Sequence, residues 1–395
     1  MNSSRPKLAV FLVLGIGLLA AWFAISRRAS GSLVVYCTHD LVYAEPVLEE
    51  FTRNTGIKVT LVGDTEATKS LGLIERLLRE GNQTPCDLFW NNEVLGTIRL
   101  QQKGLLAPYI GTGAERIPPQ FRDAGQEWFG FGGRMRVWTF QEGLEGREGI
   151  SAKGQVTRGE AGKLETRNPK LETGGAAVRA EDGEHPSSFE FRTSDFEFPP
   201  PSQPSPPTLP LSAPDLSRVA IAKPLYGTTF TQFAMLWKLR GPGQTQLEHL
   251  ELVERGCKFV AGNAMVRDVV AGGSCDLGMT DTDDVFAARD SGYKVEMVPI
   301  RIDGRTLCIP NTVSILKSSD RPAEARQLLE YLLSEEVELK LAQTARQIPL
   351  GVLSEEKIPA EIRPLAQWAK ESWNVAEAAE VAPACLEWLK SEYAR

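Results

Sequence analysis

The stretch GNAMVRDVVAGGSCDLGMTDTDDV at residues 262–285 combines a helix start, a buried strand and three carboxylates. Asn263 can cap the helix that follows, whose free backbone N–H groups attract negative charge, and Arg267 lies one turn further on. The apolar run at 275–279 predicts a strand, and directly beyond it come Thr280, Asp281, Thr282, Asp283 and Asp284. Open α/β sheets bind ligands at the carboxyl ends of their strands, so this stretch predicts a ligand site. The alternative is a solvated turn in which Thr282 or Asp283 caps the next helix.

The length and charge of the chain narrow its class. Its 395 residues are 42% hydrophobic and carry a net charge of −7. A chain of this length is long enough for two packed domains. The negative net charge and the lack of a dense Lys/Arg stripe argue against nucleic acid as the main partner.

The amino terminus predicts export. Arg5 and Lys7 precede an apolar run at 8–25, roughly 18 residues long, which is at the border between a signal peptide and a membrane-spanning helix. Residues 1–32 are therefore interpreted as a cleaved signal peptide or as an uncleaved membrane anchor. Both place the rest of the chain in a periplasm, either free or anchored to the inner membrane.

Six cysteines are too few for a disulfide framework, and none forms a C-x-x-C motif. Cys257 and Cys275 each precede a short apolar strand at the same end of neighbouring parallel strands, so a bridge between them is geometrically plausible. Free buried thiols are the alternative.

Short apolar runs alternate with amphipathic stretches from residue 33 onward. Strands are predicted at 33–36, 58–62 and 87–90, and helices at 43–55, 68–81 and 94–102. This βαβαβα series predicts a parallel sheet covered by helices. After a strand-like run at 134–140, the Gly-, Pro-, Ser- and charge-rich composition of residues 142–216 predicts a disordered insertion.

A second α/β unit is predicted beyond the insertion. Its strands are predicted at 219–222, 258–260, 276–279, 295–300 and 306–309, and its helices at 228–239, 244–255, 263–271 and 283–290. The fold class is therefore α/β, with two lobes around a hinged cleft. The predicted boundaries are lobe 1 at 33–137 and 311–350, a hinge crossing at 138–141, lobe 2 at 217–310, and C-terminal helices at 351–395.

Polar residues follow each strand of the first lobe. They are His39 and Asp40 after the first strand, Thr65 and Glu66 after the second, and Asn91, Asn92 and Glu93 after the third. All three groups lie at carboxyl ends of parallel strands, which predicts that they line the cleft. Each group also has a local explanation, because Asp40 or Thr65 can cap a helix and Glu93 suits a first helical turn.

The second lobe offers an oxyanion pocket. Gly227 opens a helix whose first turn contains Thr228 and Thr229, and Asn263 and Arg267 would add to the same pocket. An ordinary helix cap is the alternative. No G-x-S-x-G, Walker, G-x-G-x-x-G or H-E-x-x-H motif occurs in the expected context. His39 is the sole credible general base, and a metal-dependent hydrolase that uses Asp281, Asp283 and Asp284 is a rival hypothesis.

The combined pattern resembles the ferric iron(III)-binding periplasmic proteins among the solute-binding proteins of ABC transporters. The segments that carry this resemblance are VYCTHD (35–40), FTRNTGIKV (51–59), CDLFWNNE (86–93), QQKGLLAPY (101–109), FGGRMRVWTF (131–140), VAIAKPLYGTT (219–229), the opening segment, IPNTVSILK (309–317) and LLSEEVELKLA (332–342). The resemblance implies a type II periplasmic-binding fold that closes on its solute and delivers it to a membrane permease.

The resemblance also implies a ligand set. In that family a histidine after the first strand, a carboxylate after the third strand and two adjacent tyrosines hold iron, and the second lobe binds a synergistic anion. His39 corresponds to the first, and Asn92 or Glu93 to the second. The tyrosine pair is absent, because Thr280 to Asp284 stand in its place. Carboxylates can hold ferric ion and other hard cations, and Tyr43 and Tyr226 are candidate phenolate ligands from elsewhere in the chain.

The sequence therefore predicts a non-catalytic, monomeric solute-binding protein of an ABC importer, with a permease and an ATPase as partners. It would bind Fe³⁺ or another cation through His39, Glu93, Asp281, Asp283 and Asp284, and a synergistic anion through Thr228, Thr229, Asn263 and Arg267. One alternative is the same fold with an anionic or organic solute, such as a phosphonate or a sugar phosphate. Another is a sensory ligand-binding module.

Overall fold

The computed structural model describes residues 31–63, 71–143 and 213–394. Residues 1–30 of the predicted signal peptide or anchor, the site residues Thr65 and Glu66, and nearly all of the predicted insertion lie outside the described residues. Within the described ranges, no helix has the length and apolar character needed to cross a membrane. Leu216, at the end of the predicted insertion, is buried in a core cluster, so packed structure resumes before the first predicted strand of the second lobe.

The first sheet is built mainly from the amino-terminal part of the chain. Its strands have the order β2-β1-β3-β12-β5, with β4 beside β12, and β1 is parallel to both β2 and β3. The elements up to β5 are β1 (Leu33–Cys37), α1 (Leu41–Thr55), β2 (Val59–Gly63), α2 (Leu71–Glu80), β3 (Leu88–Asn91), α3 (Val94–Gln102), β4 (Leu106–Ala107), α4 (Thr112–Glu115) and β5 (Phe129–Gln141).

Helix α1 shows why these segments fold as predicted. Its apolar residues Ala44, Val47, Leu48 and Phe51 recur at helical spacing and are buried against the sheet. The helix ends at Gly56, whose positive φ of 73° favours glycine at that position.

Strand β5 belongs to two sheets. Arg134 and Met135 pair with the later strand β12 (Cys308–Leu316), whereas Arg136 and the residues after it pair with β8 (Leu277–Asp281). The change of partner therefore comes before the crossing predicted at 138–141. The strand is also longer than the predicted 134–140, because Gly130, Gly132 and Gly133 continue it. A Cβ at Gly133 would lie 2.8 Å from Cys308 Sγ, so the close pairing with β12 requires glycine there.

The second sheet has the order β5-β8-β6-β7, with β9 also beside β5. Strands β6, β7 and β8 are parallel, and β5 runs antiparallel to β8. The elements from β6 to β9 are β6 (Val219–Ala222), α5 (Gly227–Arg240), α6 (Pro242–Glu254), β7 (Lys258–Val260), α7 (Asn263–Ala271), β8, α8 (Thr282–Asp290) and β9 (Val295–Pro299).

The rest of the chain returns to the first sheet and then packs across both. The hairpin β10 (Arg301–Ile302) and β11 (Arg305–Thr306) leads into β12, which is followed by α9 (Pro322–Leu332), α10 (Glu335–Thr344), α11 (Arg363–Lys370), a 3₁₀ helix (Val375–Glu380) and α12 (Ala382–Tyr393). The strand predicted at 306–309 overlaps the start of the longer β12, which continues to Leu316 and whose pairing with β5 is irregular between Pro310 and Thr312.

One apolar cluster connects the two halves of the molecule. It joins Leu95 of α3 to Met235 of α5 and to Ala378 of the last 3₁₀ helix, and all three side chains are buried. Helix α12 packs on the same side, where the rings of Trp388 and His249 are 5.4 Å apart.

All six cysteines lie within the described residues, and they are buried and free. The bridge suggested between Cys257 and Cys275 is therefore not formed, and the alternative of buried thiols holds.

Candidate functional site

The carboxylate of Asp281 fills the anion pocket that the sequence predicts at the starts of α5 and α7. The Thr228 hydroxyl donates to Asp281 Oδ2 at 2.6 Å, and Asn263 Nδ2 donates to the same oxygen at 2.9 Å. Gly262 occupies the N-cap position of α7, so the prediction that Asn263 caps this helix is wrong. Asn263 is the first helical residue, and its side chain serves the carboxylate instead.

Arg136 completes this network from strand β5. Its Nη1 donates to Asp281 Oδ1 at 2.7 Å, and the two side chains are 0% and 1% exposed. Nη2 donates to the Thr229 hydroxyl at 3.2 Å, and Nε donates to Gln232 at 2.9 Å. A buried charge pair needs such additional hydrogen bonds to offset the loss of water. The side-chain donors of the predicted anion pocket are thus already used by an internal carboxylate.

Gly227 opens the pocket from the other side. It is the first residue of α5 and has a φ of 62°, a conformation that an L side chain rarely adopts. The glycine lets the chain turn sharply after Tyr226, so that Thr228 and Thr229 face Arg136.

Three carboxylates meet at the start of α8. Oxygen atoms of Asp281, Asp283 and Asp284 lie within 4.8 Å of one another. Thr280, Asp281 and Thr282 are buried, which contradicts the alternative of a solvated turn. Asp281 is the N-cap residue of α8, so neither Thr282 nor Asp283 caps it. The Thr282 hydroxyl accepts from the Met135 backbone N–H at 3.2 Å.

Asp283 and Asp284 are partly buried, and their pKa values are raised. Burial raises the pKa of Asp283 well above its usual range, an effect that Arg134 opposes and the charges of Asp284 and Asp281 reinforce. Burial and the charge of Asp281 likewise raise the pKa of Asp284, although its Oδ2 accepts from the Thr280 hydroxyl at 2.8 Å. Among the described residues, Asp283 Oδ1 is buried without a hydrogen-bond partner.

Arg134 reaches from β5 to both sides of the cleft. Its Nη2 donates to the Asn92 carbonyl at 2.6 Å, and its Nη1 lies 3.6 Å from Asp283 Oδ2. Asn92 follows β3 of the first sheet, and Asp283 lies in α8 beside the second. The guanidinium therefore spans the gap between the polar turns that the sequence predicts to face each other.

His39 lies on the first-sheet side in a buried aromatic setting. Its ring stacks on Trp90 at 5.5 Å and on Tyr43 at 6.0 Å. Gln347 Nε2 lies 3.3 Å from His39 Nε2, and because an amide nitrogen only donates, this ring nitrogen accepts. Asn311 donates in turn to the Gln347 carbonyl oxygen.

Asp40 and Tyr43 of the first lobe interact electrostatically with the carboxylate cluster. The charge of Asp40 raises the pKa of Asp283, after the larger effects of burial, Arg134 and the other two aspartates. The pKa of Tyr43 is raised by burial, then by Asp40 and by Asp283. Two residues of the first lobe thus lie close enough to the cluster for their charges to interact with it.

Asn91 and Glu93 have structural partners of their own. Asn91 is fully buried, accepts from the Thr38 hydroxyl at 2.8 Å and donates to the Thr97 hydroxyl at 3.0 Å. Glu93 is the N-cap residue of α3, where its carboxylate accepts from the backbone N–H groups of Leu95 and Gly96 at 2.7 and 2.6 Å. Burial is the main cause that raises the pKa of Glu93. These contacts do not bring Glu93 to the aspartates.

Arg267 and Tyr226 lie at the margin of the candidate site. Arg267 Nε donates to the neighbouring Asp268 at 2.8 Å, and Asp283 and Asp284 are among the charges that raise its pKa, after the hydrogen bond to Asp268. The Tyr226 hydroxyl donates to the Ala261 carbonyl at 2.6 Å, and its side chain is 39% exposed. Tyr226 and Glu93 line a largely apolar cavity of ≈ 290 Å³ where α3, α5 and α12 meet.

The residues missed at the sequence level are Arg134, Arg136, Asn311 and Gln347. The sequence does contain a signal for Arg134 and Arg136. Two arginines at alternate positions of an otherwise apolar strand lie on one face of it, and buried arginines need anions nearby. Asn311 and Gln347 come from distant parts of the chain, and only the pairing of β12 with β3 and β5 brings Asn311 to the site.

Part of the chain is similar in sequence to bacterial extracellular and periplasmic binding proteins. Residues 203–344 match the family model of the bacterial extracellular solute-binding proteins. The Fe(3+)-binding periplasmic protein of Serratia marcescens is 27% identical over 142 residues, which are 35% of this chain and 40% of that protein. The major ferric iron-binding protein of Neisseria gonorrhoeae is 30% identical over 125 residues, 30% of this chain and 36% of the relative. The matches thus span about two fifths of the length of these relatives.

A solved structure extends the similarity to the whole fold. The crystal structure of iron-bound HitA from Pseudomonas aeruginosa superposes with a TM-score of 0.66 at 17% identity, covering 91% of this chain and 99% of that one. The chain has the fold of the periplasmic ferric-binding proteins. The two-lobed α/β prediction and the resemblance drawn from the sequence are confirmed. Within this fold, Asp281 is the last residue of β8, and Asp283 and Asp284 follow it in the first turn of α8. The strand thus runs two residues further than predicted, and the three aspartates lie at its carboxyl end.

Proposed function

We propose that this protein is the solute-binding component of an importer and captures a hard cation, ferric iron in the first place, between its two lobes. The observation that carries the proposal is the cluster of Asp281, Asp283 and Asp284 at the cleft, in which Asp283 holds a buried oxygen without a hydrogen-bond partner among the described residues. Carboxylate oxygens are ligands that hard cations prefer.

The structure suggests different roles for the three aspartates. Both oxygens of Asp281 already accept charged or short hydrogen bonds, so Asp281 holds the start of α8 in place rather than binding the cation directly. Asp283 and Asp284 are the proposed direct ligands. Burial and mutual repulsion raise the pKa values of both carboxylates. A bound cation would offset the free-energy cost of keeping them charged, which is a physical reason for it to bind there.

The first lobe supplies the remaining proposed ligands. The rings of His39 and Tyr43 stack on each other, and the charges of Asp40 and Asp283 raise the pKa of Tyr43 in addition to burial. Glu93 remains a proposed ligand as well. A carboxylate has about four lone-pair sites, and the cap of α3 engages two of them, so a cation bound by Glu93 would also be coupled to α3.

A companion anion belongs to the proposal, with Arg267 as its main side-chain contact. Thr228 and Asn263 donate to Asp281, so an added anion would bind beside Arg267 and the start of α7 rather than in the pocket that Asp281 fills. The same observation disfavours an anionic solute bound without metal, because its donors are already used.

Delivery and location complete the proposal. The similarity to periplasmic ferric iron-binding proteins supports a periplasmic protein that passes its cargo to a membrane permease driven by an ATPase. Residues 1–32 would either be cleaved or anchor the protein to the inner membrane. The protein would act as a monomer and without catalysis, in line with its similarity to binding proteins.

The test is a titration of metal-free protein with ferric citrate and with citrate alone. Ferric iron should raise the melting temperature by several degrees, since a ligand at 100 times its dissociation constant stabilises the folded state by about 2.7 kcal/mol. Asp283→Asn should abolish most of this shift. Binding should weaken from about pH 8 to about pH 5, because protons compete with the cation for carboxylates whose pKa is raised.

Asp303→Asn is the matched control. Asp303 lies in the exposed turn between β10 and β11 with a φ of 50°, which asparagine adopts readily, so this variant should respond like the wild type. Equal shifts in both variants, or no shift of the wild type with any cation, would reject the cation site.

A further inference from the structure

Two arginines of β5 face the carboxylate cluster in unequal ways. Arg136 donates to five acceptors at 2.7 to 3.4 Å and is fully buried. Arg134, two residues earlier on the same face, makes one short hydrogen bond, to the Asn92 carbonyl at 2.6 Å. Its distance to Asp283, 3.6 Å, is an ion-pair distance and too long for a good hydrogen bond.

The Arg134–Asp283 pair leaves polar atoms unsatisfied on both sides. Arg134 Nε and Asp283 Oδ1 are buried and have no hydrogen-bond partner among the described residues. A buried charge pair with such defects costs free energy that better partners would recover. The Arg136–Asp281 pair, by contrast, has no comparable defect and is suited to remain in place.

The charge balance follows from these pairings. Arg136 neutralises Asp281, while Arg267 donates to Asp268, outside the cluster. Among the described residues, Arg134 is therefore the closest cationic partner of Asp283, and it also contacts the first lobe through Asn92. At Asp284 the charge of Arg267 acts beside that of Arg134.

We infer that Arg134 is the built-in counter-cation of the cleft: its guanidinium holds the place of the cargo beside Asp283 and is displaced when the cargo cation binds. This inference rests on the proposed function. It makes Arg134 a residue that limits which cations bind, because an incoming cation must displace a positive charge that is already there. The cost of displacing Arg134 is the same for every cation, so it weakens ferric and divalent binding by the same factor. A divalent ion gains less from Asp283 and Asp284 than a trivalent ion does, so its binding is the first to be lost at a given concentration.

The experiment compares Mn²⁺ and ferric citrate binding to the wild type and to Arg134→Gln by calorimetry at constant ionic strength. Glutamine is neutral and can still donate to the Asn92 carbonyl. We expect Arg134→Gln to bind Mn²⁺ about tenfold tighter or more than the wild type, and to bind ferric iron tighter by a similar factor, because neither cation has to displace the guanidinium. Without metal its melting temperature should be lower, and Mn²⁺ should restore it.

Two further variants separate charge from structure. Arg134→Lys keeps the positive charge and should exclude Mn²⁺ like the wild type. Arg218→Gln removes an arginine whose ion pair with Asp276 is exposed at the other end of β8, and it should leave both affinities unchanged. If Arg134→Gln does not fold without metal, Arg134→Lys still tests the inference, because a gain in Mn²⁺ affinity with the charge retained contradicts it.

The outcomes separate this inference from the proposed function. Unchanged or weaker Mn²⁺ binding by folded Arg134→Gln overturns the role of Arg134, while ferric binding by the wild type keeps the proposed function. Mn²⁺ binding by Arg134→Gln alone, with no ferric binding by the wild type, supports the role of Arg134 and rejects the ferric cargo. If neither protein binds either cation, both are rejected.

Discussion

Arg136 is a charged side chain with no exposed surface in the middle of a strand, and its partners explain how the fold tolerates it. Asp281 provides the opposite charge, and Thr228, Thr229 and Gln232 accept the remaining N–H groups. A buried pair of this kind contributes little net stability compared with apolar residues, but it ties β5, α5 and β8 into one geometry. That geometry holds the start of α8, and with it Asp283 and Asp284, at the cleft.

We predict that Arg136→Met lowers the free energy of unfolding by about 3–5 kcal/mol, because it leaves the Asp281 carboxylate buried without its cation. Urea denaturation of the metal-free protein measures the change. Adding Asp281→Asn in the same chain should recover part of the loss, since the amide is neutral and can still accept from Thr228.

Arg218→Met is the control for this prediction. It removes an exposed pair with Asp276 and should change the free energy of unfolding by no more than about 1 kcal/mol. Equal losses in the two single variants would show that burial of the Arg136 pair has no special weight.

The elements of the chain differ in how well the sequence predicts them. Helix α3, helix α7 and strand β7 have the predicted bounds, because in each the local pattern and the flanking Gly or capping residue agree with the tertiary structure. Strand β5 was predicted too short, since Gly130, Gly132 and Gly133 are typical of turns, and only the close approach of β12 makes glycine suitable inside a strand.

The sequence likewise predicts part of the candidate site. Polar residues after buried strands could be identified from local sequence, so the turns at His39, Asn91 and Asp281 were found. The partner of each side chain could not, because it depends on register between strands far apart in the chain. Arg136 is paired with Asp281 across β5 and β8, and no local pattern contains that information.

The start of α3 gives a prediction at the level of one element. Glu93→Ala should lower the free energy of unfolding by about 1–2 kcal/mol, because the N–H groups of Leu95 and Gly96 lose their acceptor. Glu93→Gln keeps a carbonyl oxygen at the same place and should recover most of that stability.

Cation binding separates the two roles of Glu93. If Glu93 is also a ligand, Glu93→Gln should weaken ferric binding while stability stays near the wild-type value. Normal ferric affinity in Glu93→Gln would restrict Glu93 to the capping role.

The whole molecule is held together by more than the strand that both sheets share. The cluster of Leu95, Met235 and Ala378 joins α3, α5 and the last 3₁₀ helix. Any movement of the lobes must preserve or slide this contact, so the cluster limits how the cleft opens. It also makes the two halves depend on each other for stability.

This dependence predicts one calorimetric unfolding transition for the wild type, shifted as a whole by ferric citrate. Met235→Ala removes a fully buried side chain from the shared cluster and should lower stability by about 2–5 kcal/mol and broaden or split the transition. Leu77→Ala is the matched variant, because Leu77 is equally buried but lies in a cluster confined to the first-sheet side. It should cost a similar amount and keep a single transition. Two transitions in the wild type, with only one of them shifted by iron, would mean that the halves unfold independently and that the cation contacts only one of them.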